Sequence, residues 1–151
     1  MDQDAFIRTY RDINDRACLY EKGILSNQCA CCQAKRLYIA EREAVHCRSD
    51  EGQQHCQELL KLLRQHSRFT LKAADESGVL PHAKAMRIQI GGLRGLHVAL
   101  HGNRQTPASI EDVYGLINDV IGHFQSLDKL PFQDIIKQIA AYQGRKRRSR
   151  D

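Results

Sequence analysis

Residues 29–47 read CACCQAKRLYIAEREAVHC, and the local structure of this stretch decides which cysteines of the chain can meet. Small or apolar side chains recur there every three or four residues, at Ala30, Ala34, Leu37, Ala40, Ala44 and Cys47. This spacing is typical of one face of an α-helix, and small residues on that face let a second helix approach closely. The pattern therefore predicts a helix over residues 30–47.

Two further helices are predicted beside it. Residues 3–22 carry apolar side chains at helical spacing, and Gly23 is a plausible end of that helix. Ser49 or Asp50 can cap a third helix, whose leucines recur at the same spacing. Three helices with short links pack antiparallel. The cysteine-rich half, residues 3–72, is therefore predicted to be an antiparallel helical hairpin or bundle.

The second half of the chain combines a glycine-rich stretch with two helical patterns. Residues 85–100 alternate apolar and polar side chains around Gly91-Gly92, which predicts a short glycine-containing β-hairpin; a helix interrupted by glycines is the alternative. The GxxG sequence within it is typical of backbone-clamping loops in KH domains, but a hairpin turn with a bulge explains it more simply. Thr106 and Pro107 are predicted to begin a helix that continues to Phe124, and a last helix is predicted from Phe132, ending at Gly144.

Length and charge indicate one domain with a basic tail. A chain of 151 residues has the usual length of a single domain, predicted here as a mainly α unit over residues 1–144. Within it, residues 3–72 form the helical half, and residues 80–144 form the hairpin and two helices. The net charge of +5 comes from the end of the chain, at Arg145, Lys146, Arg147, Arg148 and Arg150. Without these five, the 23 Lys and Arg fall to 18, equal to the 18 Asp and Glu. Residues 145–151 are predicted to be a disordered basic tail.

The six cysteines are the main indication of function. If residues 30–47 form one helix, its ends lie roughly 25 Å apart at ~1.5 Å per residue, too far for one metal site. The thiols then divide into two groups, an upper group of Cys18, Cys29, Cys31 and Cys32, and a lower pair of Cys47 and Cys56.

The upper group is the predicted metal site. Four thiolates are enough for tetrahedral zinc or for an iron–sulfur cluster. Their spacing, C-x10-C-x-C-C, matches no standard zinc-finger, zinc-ribbon or ferredoxin pattern. Two alternatives stay open. The thiols are either structural, or redox sensors whose pKa is lowered by a helix N-terminus with Lys35 and Arg36.

The lower pair is predicted to be buried in the core. Cys47 and Cys56 both fall on apolar helical faces, and free cysteine is among the most buried residue types. A reversible disulfide between them is the first alternative. A Cys2His2 metal site with the preceding His46 and His55 is the second, although neighbouring residues on a helix diverge by ~100°.

These observations lead to one predicted function and two alternatives. The chain has no apolar leader and no apolar run near the ~20 residues of a membrane span, so a cytoplasmic location without membrane contact is expected. It contains no phosphate-binding loop, HExxH, GxSxG or paired-carboxylate motif, so neither enzyme activity nor a small-molecule substrate is expected. The prediction is an accessory or regulatory protein that holds a cysteine-ligated metal or iron–sulfur centre and acts through a protein partner. The alternatives are a nucleic-acid-associated protein that uses the basic tail, and a cofactor-free protein-interaction subunit.

Overall fold

The computed structural model describes residues 3–71, 79–102, 107 and 109–143. These residues form helices and one two-stranded antiparallel sheet, in the order α1 Gln3–Ile13, α2 Glu21–Leu25, β1 Ala34–Ile39, β2 Arg42–Cys47, α3 Asp50–His66, α4 His82–Met86, a π-helical turn Arg87–Gly91, α5 Gly92–His101, α6 Val113–Phe124, a 3-10 turn Leu127–Lys129 and α7 Phe132–Ala141. The predicted mainly α composition is confirmed. Within the described ranges, no helix is both long enough and apolar enough to cross a membrane.

The predicted helix over residues 30–47 is wrong, because this stretch forms the β-hairpin of β1 and β2. Two residues join the strands, and the first of them, Ala40, has a φ of 57°. A positive φ is uncommon outside glycine, but tight hairpin turns require it. Tyr38, Ile39 and Val45 are aromatic or β-branched residues, which favour strands.

The first helix also ends earlier than predicted. α1 ends at Ile13, and the chain then turns and runs along β2 before the short helix α2. Asn14 is buried at the turn, where its side-chain amide donates to the carbonyl oxygen of Val45 at 2.8 Å. This bond anchors the turn to the hairpin. The predicted antiparallel bundle of three helices is therefore not the arrangement of the N-terminal half.

The predicted start of the third helix is confirmed. The hydroxyl of Ser49 accepts a hydrogen bond from the backbone N–H of Gly52 at 2.9 Å, which is an N-cap at the start of α3. Asp50 and Glu51 place two carboxylates in the first turn, where the helix dipole favours negative charge. The start of α3 is therefore set by local interactions.

The glycine-rich stretch is helical, so the predicted β-hairpin there is wrong and the helical alternative is confirmed. Its glycines allow the π-helical turn and α5 to pack closely on α7. A Cβ on Gly91 would lie 2.8 Å from the Cα of Ile139, and one on Gly95 would lie 2.8 Å from the Cα of Ile135. A side chain at either position would thus contact helix backbone. The GxxG sequence serves helix packing rather than a nucleic-acid loop.

The core lies between α3 and the C-terminal helices. Fully buried side chains of α3, the π-helical turn, α5, α6 and α7 contribute to it, and they include Leu59, Leu63, Ile90, Leu93, Leu96, Ile117, Val120, Ile135 and Ile139. Tyr20 and Val45 of the N-terminal half are also fully buried and belong to the same cluster. The two predicted C-terminal helices are confirmed as α6 and α7, although α6 begins at Val113 rather than at Pro107. Thr106 and the predicted tail at 145–151 lie outside the described residues, and the single-domain division stays a prediction.

Candidate metal centre

Four of the six thiols line one small cavity. Cys18, Cys31, Cys47 and Cys56 surround a space of about 20 Å³ with an apolar lining. A single water molecule occupies a cavity of ~10–15 Å³ or more, so this space has the size of one small ion and would have to widen to hold an iron–sulfur cluster. The cavity draws its thiols from both of the groups that the sequence predicted to be separate.

The hairpin accounts for the position of Cys47. Ala34 pairs with Cys47 in the antiparallel register, so the end of β2 returns to the start of β1, just after Cys31. A predicted helix would have placed these two thiols at opposite ends. The separation of Cys47 from the upper group is therefore wrong.

Cys18 reaches the cavity because the segment before α2 adds to the free edge of β2. The backbone N–H of Cys18 donates to the carbonyl oxygen of Val45 at 2.9 Å, and the N–H of Cys47 donates to that of Arg16 at 2.8 Å. Ala17 forms an antiparallel bridge with His46 between these bonds. The segment around Cys18 thus behaves as a short third strand.

Cys31 is positioned by the start of α6. The loop before β1 pairs with the residues before α6. The N–H of Ala30 donates to the carbonyl oxygen of Ile110 at 2.9 Å, and the N–H of Val113 donates to the carbonyl oxygen of Ala30 at 2.9 Å. The N–H of Cys32 donates to a carboxylate oxygen of Asp112 at 3.0 Å. These bonds hold Cys31 beside the first turn of α6.

Cys56 comes from the second turn of α3, which lies over the same strands. The side-chain amide of Gln53 donates to the carbonyl oxygen of Ala17 at 2.9 Å and fixes α3 to the added strand. Gly52 allows close approach from α6, because a Cβ there would lie 2.9 Å from Cδ2 of Tyr114. Four separate segments therefore converge on the cavity.

Burial controls the protonation of these thiols. It raises the pKa of Cys18 from about 9 to about 12, and it also raises the pKa of Cys31 and Cys56. Each pair among the four cavity thiols interacts electrostatically, and this mutual repulsion adds to the upward shifts. Without a cation, the thiols of Cys18, Cys31 and Cys56 are therefore neutral near pH 7.

Several backbone groups favour the opposite, charged form. Hydrogen bonding to the backbone of Tyr20 lowers the pKa of Cys18, and hydrogen bonding to the backbones of Gln33 and Tyr114 lowers the pKa of Cys31, in both cases against the larger effect of burial. Hydrogen bonds of this kind to thiolates orient and tune metal ligands. The cavity thus contains donors for thiolates that burial alone disfavours.

The thiols do not form a ready-made coordination sphere. In the part of the chain that the structure describes, no three His, Cys, Asp or Glu side chains are placed so that they could hold a metal ion. The Sγ of Cys47, for instance, donates to the carbonyl oxygen of Ser49 at 3.2 Å. A zinc site has Zn–S distances of ~2.3 Å, so binding would require the thiols to turn toward a common centre.

The other two thiols of the predicted set lie outside the lining of this cavity. Cys29 is buried, with only 3% of its surface exposed, and its Sγ lies 2.8 Å from the position of a Cβ on Gly23. Cys32 is exposed, and the side-chain amide of Gln33 contacts its sulfur at 3.8 Å. Of the predicted upper group, Cys18 and Cys31 line this cavity, and Cys29 shares a second cavity of about 270 Å³ with Cys31.

The two histidines that precede the lower pair interact with residues outside the cavity lining. His46 Nδ1 lies 3.0 Å from the side-chain oxygen of Asn14. His55 Nε2 lies 3.8 Å from the Glu51 carboxylate, one turn earlier on α3. The Cys2His2 alternative therefore has no support from these contacts.

A basic surface lies where the described chain ends. A cavity of about 850 Å³ is lined by residues that include His82, Arg87, Arg94 and Tyr142. The guanidinium of Arg94 lies 5.2 Å from the centre of the Tyr142 ring. The predicted tail follows Tyr142 closely in sequence. His82, Arg87, Arg94 and Tyr142 are far apart along the chain, so the sequence alone does not reveal this surface.

No known protein-family model, curated protein or solved structure matches this chain.

Proposed function

We propose that this protein holds one cysteine-ligated centre, either zinc or an iron–sulfur cluster, with Cys18, Cys31, Cys47 and Cys56 as its ligands. The supporting observation is the cavity itself, where four thiols from four segments meet in one apolar space. Burial keeps the thiols of Cys18, Cys31 and Cys56 protonated in the empty site, and a bound cation would stabilise the thiolates that burial and mutual repulsion disfavour. Backbone hydrogen bonding to the thiols of Cys18 and Cys31 supports the same proposal.

The proposal keeps the kind of centre predicted from the sequence and changes its ligands. Cys47 and Cys56 replace Cys29 and Cys32, because the hairpin brings the former pair to the cavity that Cys18 and Cys31 line. All six cysteines are free thiols in the structure. A reducing compartment keeps them so, and the proposal therefore includes a cytoplasmic location.

A centre with four thiolate ligands has a limited chemical repertoire. Zinc bound by four cysteines has no open position for water or substrate, so such sites stabilise structure rather than catalyse hydrolysis. An iron–sulfur cluster with the same ligands could also transfer electrons. Either centre would join the added strand, the hairpin and α3 into one unit. We therefore propose an accessory or regulatory role, in which this unit presents a surface to a protein partner.

Metal analysis of single variants tests the proposal. Protein purified without oxygen should contain about one zinc ion, or iron with acid-labile sulfide, per chain. Changing Cys47 or Cys56 to serine should reduce that content severely, because a four-coordinate site would lose one ligand. The matched control is Cys32→Ser, an exposed thiol next to Cys31, which should retain the metal.

Two results would contradict this ligand set. Full metal content in both Cys47→Ser and Cys56→Ser would exclude these residues as ligands, and loss in Cys29→Ser and Cys32→Ser would return the site to the upper group. Wild-type protein without metal or sulfide would favour the third function, a cofactor-free protein-interaction subunit.

A second candidate function is nucleic-acid binding, and the basic surface beside Tyr142 favours it. Arg87 and Arg94 add positive charge next to the predicted tail, which suits the phosphates of a nucleic acid. Deleting residues after Gln143, with or without Arg94→Gln, should weaken binding to single-stranded DNA or RNA. The slope of log K against log salt should flatten by ~0.7 for each lost phosphate contact. Absence of binding by the full chain at low salt would exclude this function.

A further inference from the structure

The most unusual polar group in the lining of the four-cysteine cavity is the hydroxyl of Tyr20. The Tyr20 side chain is 1% exposed, and its hydroxyl has no hydrogen-bond partner. A buried hydroxyl without a partner loses its bonds to water and gains nothing in return. Among the described residues that line this cavity, Tyr20 is the one with a buried side-chain polar atom that lacks a hydrogen-bond partner.

The surroundings of this hydroxyl are rich in sulfur. The thiols of Cys56, Cys29 and Cys18 all act on it electrostatically. Two of these, Cys18 and Cys56, are proposed ligands of the centre. Tyr20 follows Cys18 by two residues and lines the same cavity, and hydrogen bonding to the backbone of Tyr20 lowers the pKa of the Cys18 thiol against the larger effect of burial. Tyr20 is thus placed beside the proposed ligands.

We propose that the Tyr20 hydroxyl donates a hydrogen bond to a sulfur of the bound centre, either a cysteine thiolate or a sulfide of a cluster. This inference rests on the proposed function, because a thiolate or sulfide appears there only when the centre is bound. A phenol donates readily to an anionic sulfur, and such charge-assisted bonds are stronger than neutral ones. Tyr20 is then a positioning residue. Its hydroxyl stabilises the metal-bound protein and destabilises the metal-free protein.

The proposal predicts opposite effects of one substitution in two states. Tyr20→Phe keeps the ring and removes the hydroxyl. Metal-free Tyr20→Phe should be at least as stable to urea as metal-free wild type, because it no longer buries an unpartnered hydroxyl. Its affinity for Zn²⁺, measured without oxygen in competition with a chelator, should be about 10- to 100-fold lower, as for other residues that support ligands.

The matched control is Tyr142→Phe. The Tyr142 side chain is also largely buried, but its hydroxyl donates to the side-chain oxygen of Gln28 at 2.7 Å, and neither residue lines the cysteine cavity. Tyr142→Phe should lower stability with and without Zn²⁺ and leave the Zn²⁺ affinity unchanged. If the protein takes up only iron and sulfide, the measured quantity is the reduction potential. It should fall in Tyr20→Phe, because hydrogen bonds to the sulfurs of a cluster stabilise its more negative, reduced state.

The outcomes separate this inference from the proposed function. Wild type that binds neither Zn²⁺ nor a cluster overturns both. Wild type that binds, with Tyr20→Phe showing the same affinity or potential, overturns only the role of Tyr20. If Tyr20→Phe lowers the free energy of unfolding equally with and without metal, the hydroxyl has a purely structural role. This result also overturns the inference.

Discussion

Replacing Gly95 with alanine should destabilise the protein, although alanine is the better helix former. Gly95 lies in α5 where it meets α7, and a Cβ there would sit 2.7 Å from Cγ2 and 2.8 Å from Cα of Ile135. Ordinary van der Waals contacts of a Cβ atom begin near 3.4 Å, so α7 would have to move away from α5 by several tenths of an ångström. The Cα belongs to helix backbone and cannot rotate away. The two helices would therefore separate.

The magnitude follows from two opposing effects. Alanine in place of glycine stabilises a helix interior by up to ~1 kcal/mol. Overpacking a filled core costs ~1–3 kcal/mol, and contact with backbone places Gly95→Ala near the upper end of that range. We expect a net loss of about 2 kcal/mol in the free energy of unfolding. At this chain length, that loss lowers the melting temperature by roughly 4–8 °C.

Gly122 provides the matched control. It lies in α6, where a Cβ would meet no atom within 4 Å, so alanine gains helix propensity without a contact. Gly122→Ala should raise the free energy of unfolding by a few tenths to ~1 kcal/mol. Urea unfolding of wild type and both variants, monitored by circular dichroism, measures the two shifts. A Gly95→Ala variant as stable as wild type would refute the close packing of α5 on α7.

Three further predictions concern the segments around the cavity. Asn14→Ala should lower the free energy of unfolding by ~1 kcal/mol in urea, because the turn loses its side-chain hydrogen bond to the carbonyl oxygen of Val45, which then keeps only the N–H of Cys18 as a donor; a loss below about 0.5 kcal/mol, on the order of a neutral surface change, would show that this bond is unimportant. Burial raises the pKa of Cys18 and Cys29 from about 9 to about 12, so metal-free protein should lose stability as the pH rises from about 9 to about 12; urea midpoints that do not change over this range would contradict the burial of these thiols. Zn²⁺ binding should instead strengthen with pH, because it releases the protons that burial holds on the thiols of Cys18, Cys31 and Cys56, and calorimetry in two buffers of different ionisation enthalpy should count them; release of fewer than about two protons would exclude these three thiols as a set of ligands.

The sequence by itself determined the helices whose signals are local. α3 has its own N-cap at Ser49 and an apolar face repeated over several turns, and α6 and α7 carry equally regular patterns. Local patterns of this kind do not depend on a partner, so they were predicted correctly. Composition likewise pointed to the cysteines as the main candidates for function.

Only the tertiary structure decided the hairpin and the glycine-rich helix. The small residues of 30–47 suit a helix by spacing, but the alternative strands gain backbone hydrogen bonds from the segment around Ala17. The stretch around Gly91 and Gly95 alternates like a strand, but the backbone of α7 lies directly against both glycines. In both cases the deciding partner lies far away in the sequence.

The candidate site shows the same division. The sequence supplied the six thiols and a centre of zinc or iron and sulfide as the predicted chemistry, whereas the choice of ligands depended on how the chain turns. A helix over 30–47 would hold Cys31 and Cys47 apart, and a hairpin brings them together because antiparallel pairing returns the chain to its starting point. Cys18 joins them through hydrogen bonds to β2, and Cys56 through the packing of α3. The thiols are thus a property of the sequence, and their common cavity is a property of non-local strand pairing.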